Sequence, residues 1–298
     1  MSRIKIESVS SEGPVKIIGK IMRIRESKGL YLYTIADESG AIEVAGYAQF
    51  PVGDVVSVKG EAKAHGERHA VYATEMDRVV DERREAVSKA VEAAVEMEST
   101  PRDAKLLIDD EVMGALDEPF GECARRIRRA IFSFRPILIR YNGDADGICA
   151  GLALKRAIES LMGIEAKQRL LFAQNNPAIY SEGDALRDVS TLRMLPDQTE
   201  KPLVLLLDFA ANSESLEALE LHQGAGSEVI IIDHHPFDPK APTLIDFFVS
   251  PMTCNGNSNY CTGLLAGEVA KRVAEVEVEE LQRIALAGDK SRLVESGE

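Results

Sequence analysis

Cysteine is scarce in this sequence: Cys123, Cys149, Cys254 and Cys261 are all it has, and no two form a CxxC pair. The only close pair, Cys254 and Cys261, lies in a stretch rich in glycine and asparagine. Four well-spaced zinc ligands cannot be assembled from them, so the thiols read as buried or incidental groups in a reducing compartment. Long apolar runs are also missing. Every strong one is broken by Asp, Glu or Arg, which excludes a membrane-spanning helix and a membrane partner. The first ten residues alternate apolar and charged side chains and lack the basic-then-apolar order of a signal peptide, so the expected location is cytoplasmic. Positive charge is in short supply as well: 35 Lys and Arg against 49 Asp and Glu leave a net charge of −14. That balance argues against broad, non-specific binding to nucleic acid. The deficit is uneven, because residues 1–80 hold eleven charges of each sign and the whole excess falls in 81–298. A carboxylate-rich cation site explains part of that excess; a solvated acidic surface could explain all of it.

What is present suffices for two domains and a sizeable core, with 298 residues of which 45% are apolar. Residues 14–80 read as five short strands rich in Val, Ile and Tyr, the last four at 30–36, 41–47, 55–60 and 70–79. Turn chemistry joins them at Ser27-Lys28-Gly29, Asp37-Glu38-Ser39-Gly40, Pro51-Val52-Gly53-Asp54 and His65-Gly66-Glu67. Five strands at this spacing can close a small barrel and hide their edges. Residues 81–135 read as a helical connector, with Val87, Val91, Ala94 and Val95 on one stripe of its first helix. A cluster of Arg125, Arg126, Arg128 and Arg129 in its last helix is either a solvated face or a contact to a phosphate backbone. His222 is expected to cap a helix or face solvent.

From 136 the pattern changes to apolar strands separated by helices, which indicates an α/β domain, 136–298, with a parallel sheet covered on both faces. Strands are expected at 136–141, 202–209 and 228–232, and a helix from about Ile148. Ligands in such sheets sit beyond the carboxyl ends of the strands. There stand Asn142-Gly143-Asp144-Ala145-Asp146-Gly147, then Asp208, then Asp233-His234-His235. Carboxylates gathered at one edge repel one another unless a cation lies between them. Asp with His suits Mn²⁺ or Mg²⁺, and imidazole tilts the choice toward Mn²⁺. Asn255-Gly256-Asn257-Ser258-Asn259 reads as a loop.

These motifs resemble the DHH phosphoesterases. The similarity covers about 136–290 and rests on four elements in the family's order: D-A-D-G at Asp144–Gly147, Asp208 after an apolar strand, the signature Asp233-His234-His235, and Asp289 in A-L-A-G-D-K. The resemblance implies two divalent ions, with Asp208 bridging them, Asp144 on one, and Asp146, His234 and Asp289 on the other. Asp233 and His235 would then serve catalysis or face the substrate. Two such ions can activate a water and neutralise phosphate oxygens, with no covalent protein intermediate. Two departures stand out. Where family members often carry His or Asp ahead of the first aspartate, this chain has Arg140 and Asn142, so Asn142 is at most a weak, neutral metal ligand. The glycine-rich C-terminal substrate-binding domain of the family is also not found.

Residues 14–80 resemble the OB-fold, through I-A-D-E-S-G-A-I-E-V and V-G-D-V-V-S-V-K-G. That likeness implies a nucleic-acid-binding domain over 1–80, with Lys20, Arg23, Arg25, Lys28, Tyr31, Tyr33 and Tyr47 as candidate contacts. Alternatively, the tyrosines are half-buried barrel residues. An OB module ahead of a DHH core looks like archaeal relatives of RecJ. The expectation is a metal-dependent 5′–3′ exonuclease on single-stranded DNA or RNA, in replication or repair, with GINS-like replisome proteins as partners. Two alternatives stand beside it: a catalytically weakened replisome scaffold, and a phosphodiesterase for small molecules or very short oligonucleotides.

Overall fold

The computed structural model describes residues 4–293 apart from 11, 66, 67, 177, 196 and 199. Gly66 and Glu67 of the turn expected at His65-Gly66-Glu67 thus lie outside the described residues. The chain divides into two compact units, 1–98 with 195–200, and 99–194 with 201–298. The residues expected as a connector are shared between them.

In the first unit, alternation of apolar and polar residues yields β1 (Gly13–Ser27), β2 (Leu30–Asp37), β3 (Gly40–Gly46), β4 (Val55–His65) and β5 (Arg68–Arg78). The long β1 pairs antiparallel with β4 through its first half and with β2 through its second. β3 runs parallel to β5, and β5 antiparallel to β4, which closes the order β1-β2-β3-β5-β4-β1. This closed five-stranded barrel is OB-like. Its interior is filled by residues in step along the strands, among them Ile17, Ile21, Tyr33, Ile35, Val44, Val58 and Val71. α1 (Asp81–Glu98) follows and buries Val87, Val91 and Val95, one helical stripe, as the sequence predicts.

The second unit opens with α2 (Glu111–Ala115) and α3 (Asp117–Phe132) and continues through β6 (Ile137–Asn142), α4 (Ala145–Met162), α5 (Ala166–Arg169), β7 (Leu170–Asn175) and α6 (Glu182–Met194). Between 195 and 200 the chain belongs to the barrel unit, where β8 (Asp197–Gln198) pairs with β1. It then forms β9 (Leu203–Leu207), α7 (Leu216–Ala225), β10 (Glu228–Ile232), β11 (Phe247–Val249), α8 (Thr262–Val273) and α9 (Glu279–Gly288). The sheet order is β11-β10-β9-β6-β7, and every pairing is parallel. β6, β9 and β10 are buried along their whole length, which explains their nearly unbroken apolar runs. Ile137, Ile139, Leu203, Leu205, Ile230 and Ile232 pack into one core with α3, α4, α8 and α9. Arg140, one step out of phase, points toward α6 instead, where it pairs with Asp188. No helix among the described residues is long and apolar enough to cross a membrane.

Candidate metal centre

Tyr141 pairs with Leu207, and Leu207 with Ile232, so the residues that follow, Asn142, Asp208 and Asp233, leave the sheet at one edge. Asp208 is 1% exposed and its backbone takes the left-handed region at φ +67°. A non-glycine residue held there costs about 1–3 kcal/mol and persists only where its surroundings fix it. Here its N–H donates to the Ile232 carbonyl at 3.0 Å, and the Thr262 hydroxyl donates to its Oδ1 at 3.0 Å. Asn142 Nδ2 donates to its Oδ2 at 3.2 Å.

Asp144 caps α4, its Oδ1 accepting the Gly147 N–H at 2.9 Å. The cap starts the helix at Ala145, three residues earlier than the sequence suggests, and brings Asp146 into its first turn. A Cβ on Gly147 would stand 2.4 Å from the Asn142 carbonyl oxygen, so close packing of helix on strand requires glycine. Asp146 is buried against the amino end of α8: Thr262 N–H donates to Oδ2 at 2.8 Å and Gly263 N–H to Oδ1 at 2.7 Å. A helix amino end favours negative charge there.

His234 is also buried. Its Nδ1 donates to the Ser258 carbonyl at 2.7 Å. That bond fixes the orientation of the ring and turns Nε2 toward the carboxylates. Nε2 stands 3.3 Å from Asp208 Oδ1 and 3.7 Å from Asp146 Oδ2. Asp289, just past α9, places Oδ2 3.8 Å from His234 Nδ1. His235 is half-exposed, with Nδ1 donating to Asp233 Oδ1 at 2.8 Å. Asp233 is fully buried and also accepts the His235 N–H.

The electrostatics reflect this crowding. Burial, then the Asp208 charge, pushes the Asp146 carboxyl up to about 7. Burial raises Asp144 as well, despite the Gly147 hydrogen bond. Burial opposes charge on His234, but its contacts with Asp208, Ser258 and Asp146 lift it to about 9. Burial would likewise raise Asp208; His234, His235 and Asn142 outweigh it and hold the carboxyl below its ordinary value. The Asp233 hydrogen bond raises His235. Ligand atoms of Asp208, His234 and His235 lie within 4.8 Å of one another. A carboxylate beside two imidazoles, whose ring nitrogens can give up a proton to a cation, is a donor set that fits a divalent ion.

Of the expected ligands, Asp146 and Asp208 face Nε2 of His234, Asp144 is joined to Asp208 through Asn142, and Asp289 lies on the Nδ1 side of the ring. Asn142 enters differently from expectation: it donates through Nδ2 to Asp144 Oδ2 at 2.7 Å and to Asp208, while its Oδ1 accepts the Gly143 N–H. It tethers the two carboxylates here through its amide nitrogen. Sequence reasoning missed Thr262 and Gly263, and missed the role of Ser258, a main-chain carbonyl without a side-chain signature.

The barrel candidates fare unevenly. Tyr33 is wholly buried, its hydroxyl donating to the Ala48 carbonyl at 2.5 Å, so it cannot stack on a base. Arg23 is buried too. Lys20 pairs with Glu200 at 3.8 Å and Arg25 with Glu43 at 3.6 Å. Tyr31 is half-buried, whereas Lys28 and Tyr47 are exposed. In α3, Arg125 and Arg126 bind Glu122, Arg126 also binds Glu228, and Arg128 donates to the Val273 carbonyl. Those three arginines are engaged in internal contacts. His222 is fully buried, contrary to expectation. Its Nε2 lies 2.6 Å from the Tyr180 hydroxyl, and burial lowers it to about 4.

Residues 136–288 match the family model for the DHH family, N-terminal domain. The chain is 29% identical over 304 residues to an uncharacterized protein of Methanocaldococcus jannaschii, covering 93% of this chain and 40% of that one. It therefore spans well under half the length of that curated relative. Among solved structures it is similar to the DHH domain of a member of a family of ribosomal proteins, with 29% identity and a TM-score of 0.67 over 72% of this chain and 54% of the other. It is also similar to RecJ of Thermus thermophilus in complex with Mn²⁺, with 17% identity and a TM-score of 0.47 over 69% of this chain and 30% of the other. The family match spans just over half of the sequence and contains the edge where the carboxylates and imidazoles meet: the chain belongs to the DHH family.

Proposed function

We propose that this protein hydrolyses phosphodiester bonds in single-stranded DNA or RNA, using two divalent cations at the Asp/His edge of the parallel sheet. One observation carries the reading: His234 is locked by the Ser258 carbonyl with its Nε2 facing Asp208 and Asp146. In this reading Asp144, Asp146, Asp208, His234 and Asp289 would hold the cations, with Asp208 at the centre of the group. Bound cations would activate a water and neutralise charge on the phosphate oxygens. The chain's own contribution is to hold these carboxylates fixed, by Thr262, Gly263 and Asn142, against their mutual repulsion. His235 is the catalytic candidate, because it is half-exposed and can donate a proton to a leaving oxygen. Asp233 is buried beneath it and acts through it, as a positioning residue that keeps the imidazole oriented and favours its charged form.

Family membership and the OB-like barrel support an exonuclease, working from the 5′ end by analogy with RecJ. Replication or repair is the proposed setting, with a GINS-like replisome protein as partner. A second reading, action on very short oligonucleotides or small phosphodiesters, is favoured by the burial of Tyr33 and Arg23, which removes two of the expected strand contacts. One experiment separates them: single-stranded DNA and RNA, labelled at either end, and a dinucleotide are incubated with Mn²⁺, Mg²⁺ or chelator. Metal-dependent release of mononucleotides from the 5′ end is expected. Cleavage of the dinucleotide alone would establish the second reading. Absence of all hydrolysis, with Mn²⁺ bound, would refute both for this chain.

A further inference from the structure

The loop at 257–260 reaches His234 through the Ser258 carbonyl, and it is anchored on both sides by groups that do not belong to the metal site. Asn257 Oδ1 accepts the Asn259 N–H at 2.9 Å and closes the loop on itself. On one side, the Ser291 hydroxyl donates to the Asn259 carbonyl at 2.7 Å, and the Arg292 N–H donates to Asn259 Oδ1 at 3.1 Å. These bonds grip the chain just beyond Asp289, where Lys290 adopts φ +53°. On the other side, the Tyr260 hydroxyl donates to Asp110 Oδ2 at 2.8 Å. Asp110 is itself fixed, because its Oδ1 caps α2 by accepting the Met113 N–H at 2.9 Å.

We propose that this loop is a clasp that sets two metal ligands at once, orienting His234 through the Ser258 carbonyl and Asp289 through Ser291 and Arg292, with Tyr260 and Ser291 as positioning residues. The inference rests on the two-cation reading above. Its physical basis is that a ligating imidazole binds metal well only when the opposite ring nitrogen keeps its hydrogen-bond partner, and loss of such a partner weakens affinity about 10- to 100-fold. A carbonyl cannot be removed by substitution, so its placement depends on what holds the loop. Asn259 joins the two halves: its carbonyl and side chain hold the Asp289 side, and its neighbour Ser258 holds His234. Tyr260→Phe removes only a hydroxyl from a ring packed in the core, and Ser291→Ala removes only the bond to Asn259 and the local bond from the Leu293 N–H.

The test is calorimetric titration of Mn²⁺ into the unaltered chain, Tyr260→Phe, Ser291→Ala and Ser291→Thr. It is paired with thermal unfolding in chelator and with the electron spin-echo signature of imidazole nitrogen on bound Mn²⁺. Expected are a roughly tenfold weaker Kd in Tyr260→Phe and Ser291→Ala, a reduced imidazole signature, recovery in Ser291→Thr, and melting midpoints in chelator that match the unaltered chain. Unchanged affinity in both variants, with Mn²⁺ bound by the unaltered chain, would overturn the clasp and leave the metal reading intact. Weakened affinity with an equally lowered melting point in chelator would also overturn it, since general destabilisation would then suffice. Failure of the unaltered chain to bind Mn²⁺ would overturn the metal reading, and the clasp with it.

Discussion

Gly263 N–H donates to Asp146 Oδ1 at 2.7 Å, across 117 residues of sequence. The bond needs glycine at that position: a Cβ there would stand 2.4 Å from the Ala285 Cβ and 3.0 Å from Asp146 Oδ1. Gly263→Ala is therefore expected to push α8 away from α9 and from Asp146. Overpacking of this kind costs about 1–3 kcal/mol, and the displaced carboxylate should lower Mn²⁺ affinity as well. Urea unfolding and Mn²⁺ titration of the variant test both parts, and wild-type values in both would contradict the contact.

Asp208 is the carboxylate that the other groups surround. Asp208→Ala is expected to abolish Mn²⁺ binding in calorimetry and all metal-dependent hydrolysis of end-labelled strands. Turnover equal to that of the unaltered chain would sink the two-cation assignment, because no other described side chain contacts Asn142, Thr262, His234 and His235 together.

Asn142 holds Asp144 and Asp208 by donating to both. Asn142→Asp exchanges that donor for a third carboxylate. Without metal the variant should lose about 1–3 kcal/mol, the cost of unpaired buried polar groups, with added charge repulsion. Mn²⁺ should then restore more stability than it adds to the unaltered chain, because the stabilisation from a bound ligand rises with the logarithm of its concentration over Kd for the folded state, and a carboxylate binds the ion more tightly than an amide. Melting curves in chelator and in Mn²⁺ give the two shifts; equal shifts in variant and parent would rule the idea out.

How much of this was legible in the sequence depends on whether the signal is local. β6, β9 and β10 announce themselves as apolar runs because both of their faces are covered, and the acidic residues that end them mark the site. β7 does not: Leu170–Asn175 is a half-buried edge strand running straight out of α5, with no turn residue between. β11 has three residues, too few for any period to show. Alternation places Tyr31 and Tyr33 on one face of β2 but cannot say which face points inward. That follows only from the barrel closing over Tyr33 and Ile35. Asp146 was legible as a candidate ligand, whereas the hydrogen bonds it accepts from Thr262 and Gly263 come from a helix far along the chain. His222 looked like a helix-end residue because Tyr180, its partner, is 42 positions away.

Lys28 is the exposed cation of the barrel set, on the turn between β1 and β2. If the barrel holds single strands, Lys28→Glu should weaken binding to a long oligonucleotide at low salt and make the dependence of affinity on salt shallower, by about one phosphate contact. Hydrolysis of a dinucleotide should not change. Binding curves at three salt concentrations decide it, and an unaltered slope would remove Lys28 from the contact surface.

His222 offers a pH signature independent of the metal centre. It is packed against Tyr180, whose hydroxyl donates to Asp188 Oδ2 at 2.7 Å, and Asp188 in turn binds Arg140. Burial holds the imidazole neutral, with a folded-state value of about 4, against about 6.5 when unfolded. The unfolded chain therefore takes up a proton first as pH falls. The stability contributed by keeping His222 neutral is complete above about pH 6.5 and is lost as pH drops toward 4. Between pH 7 and 5 the linkage amounts to about 2 kcal/mol. His222→Gln cannot titrate, so the fall in unfolding free energy from pH 7 to pH 5 should be smaller in the variant by about that amount. Carboxylate titrations common to both proteins cancel in the comparison. Urea unfolding at the two pH values gives four numbers; a pH-dependent loss as large in the variant as in the parent would show that His222 is already charged, or solvated, in the folded protein.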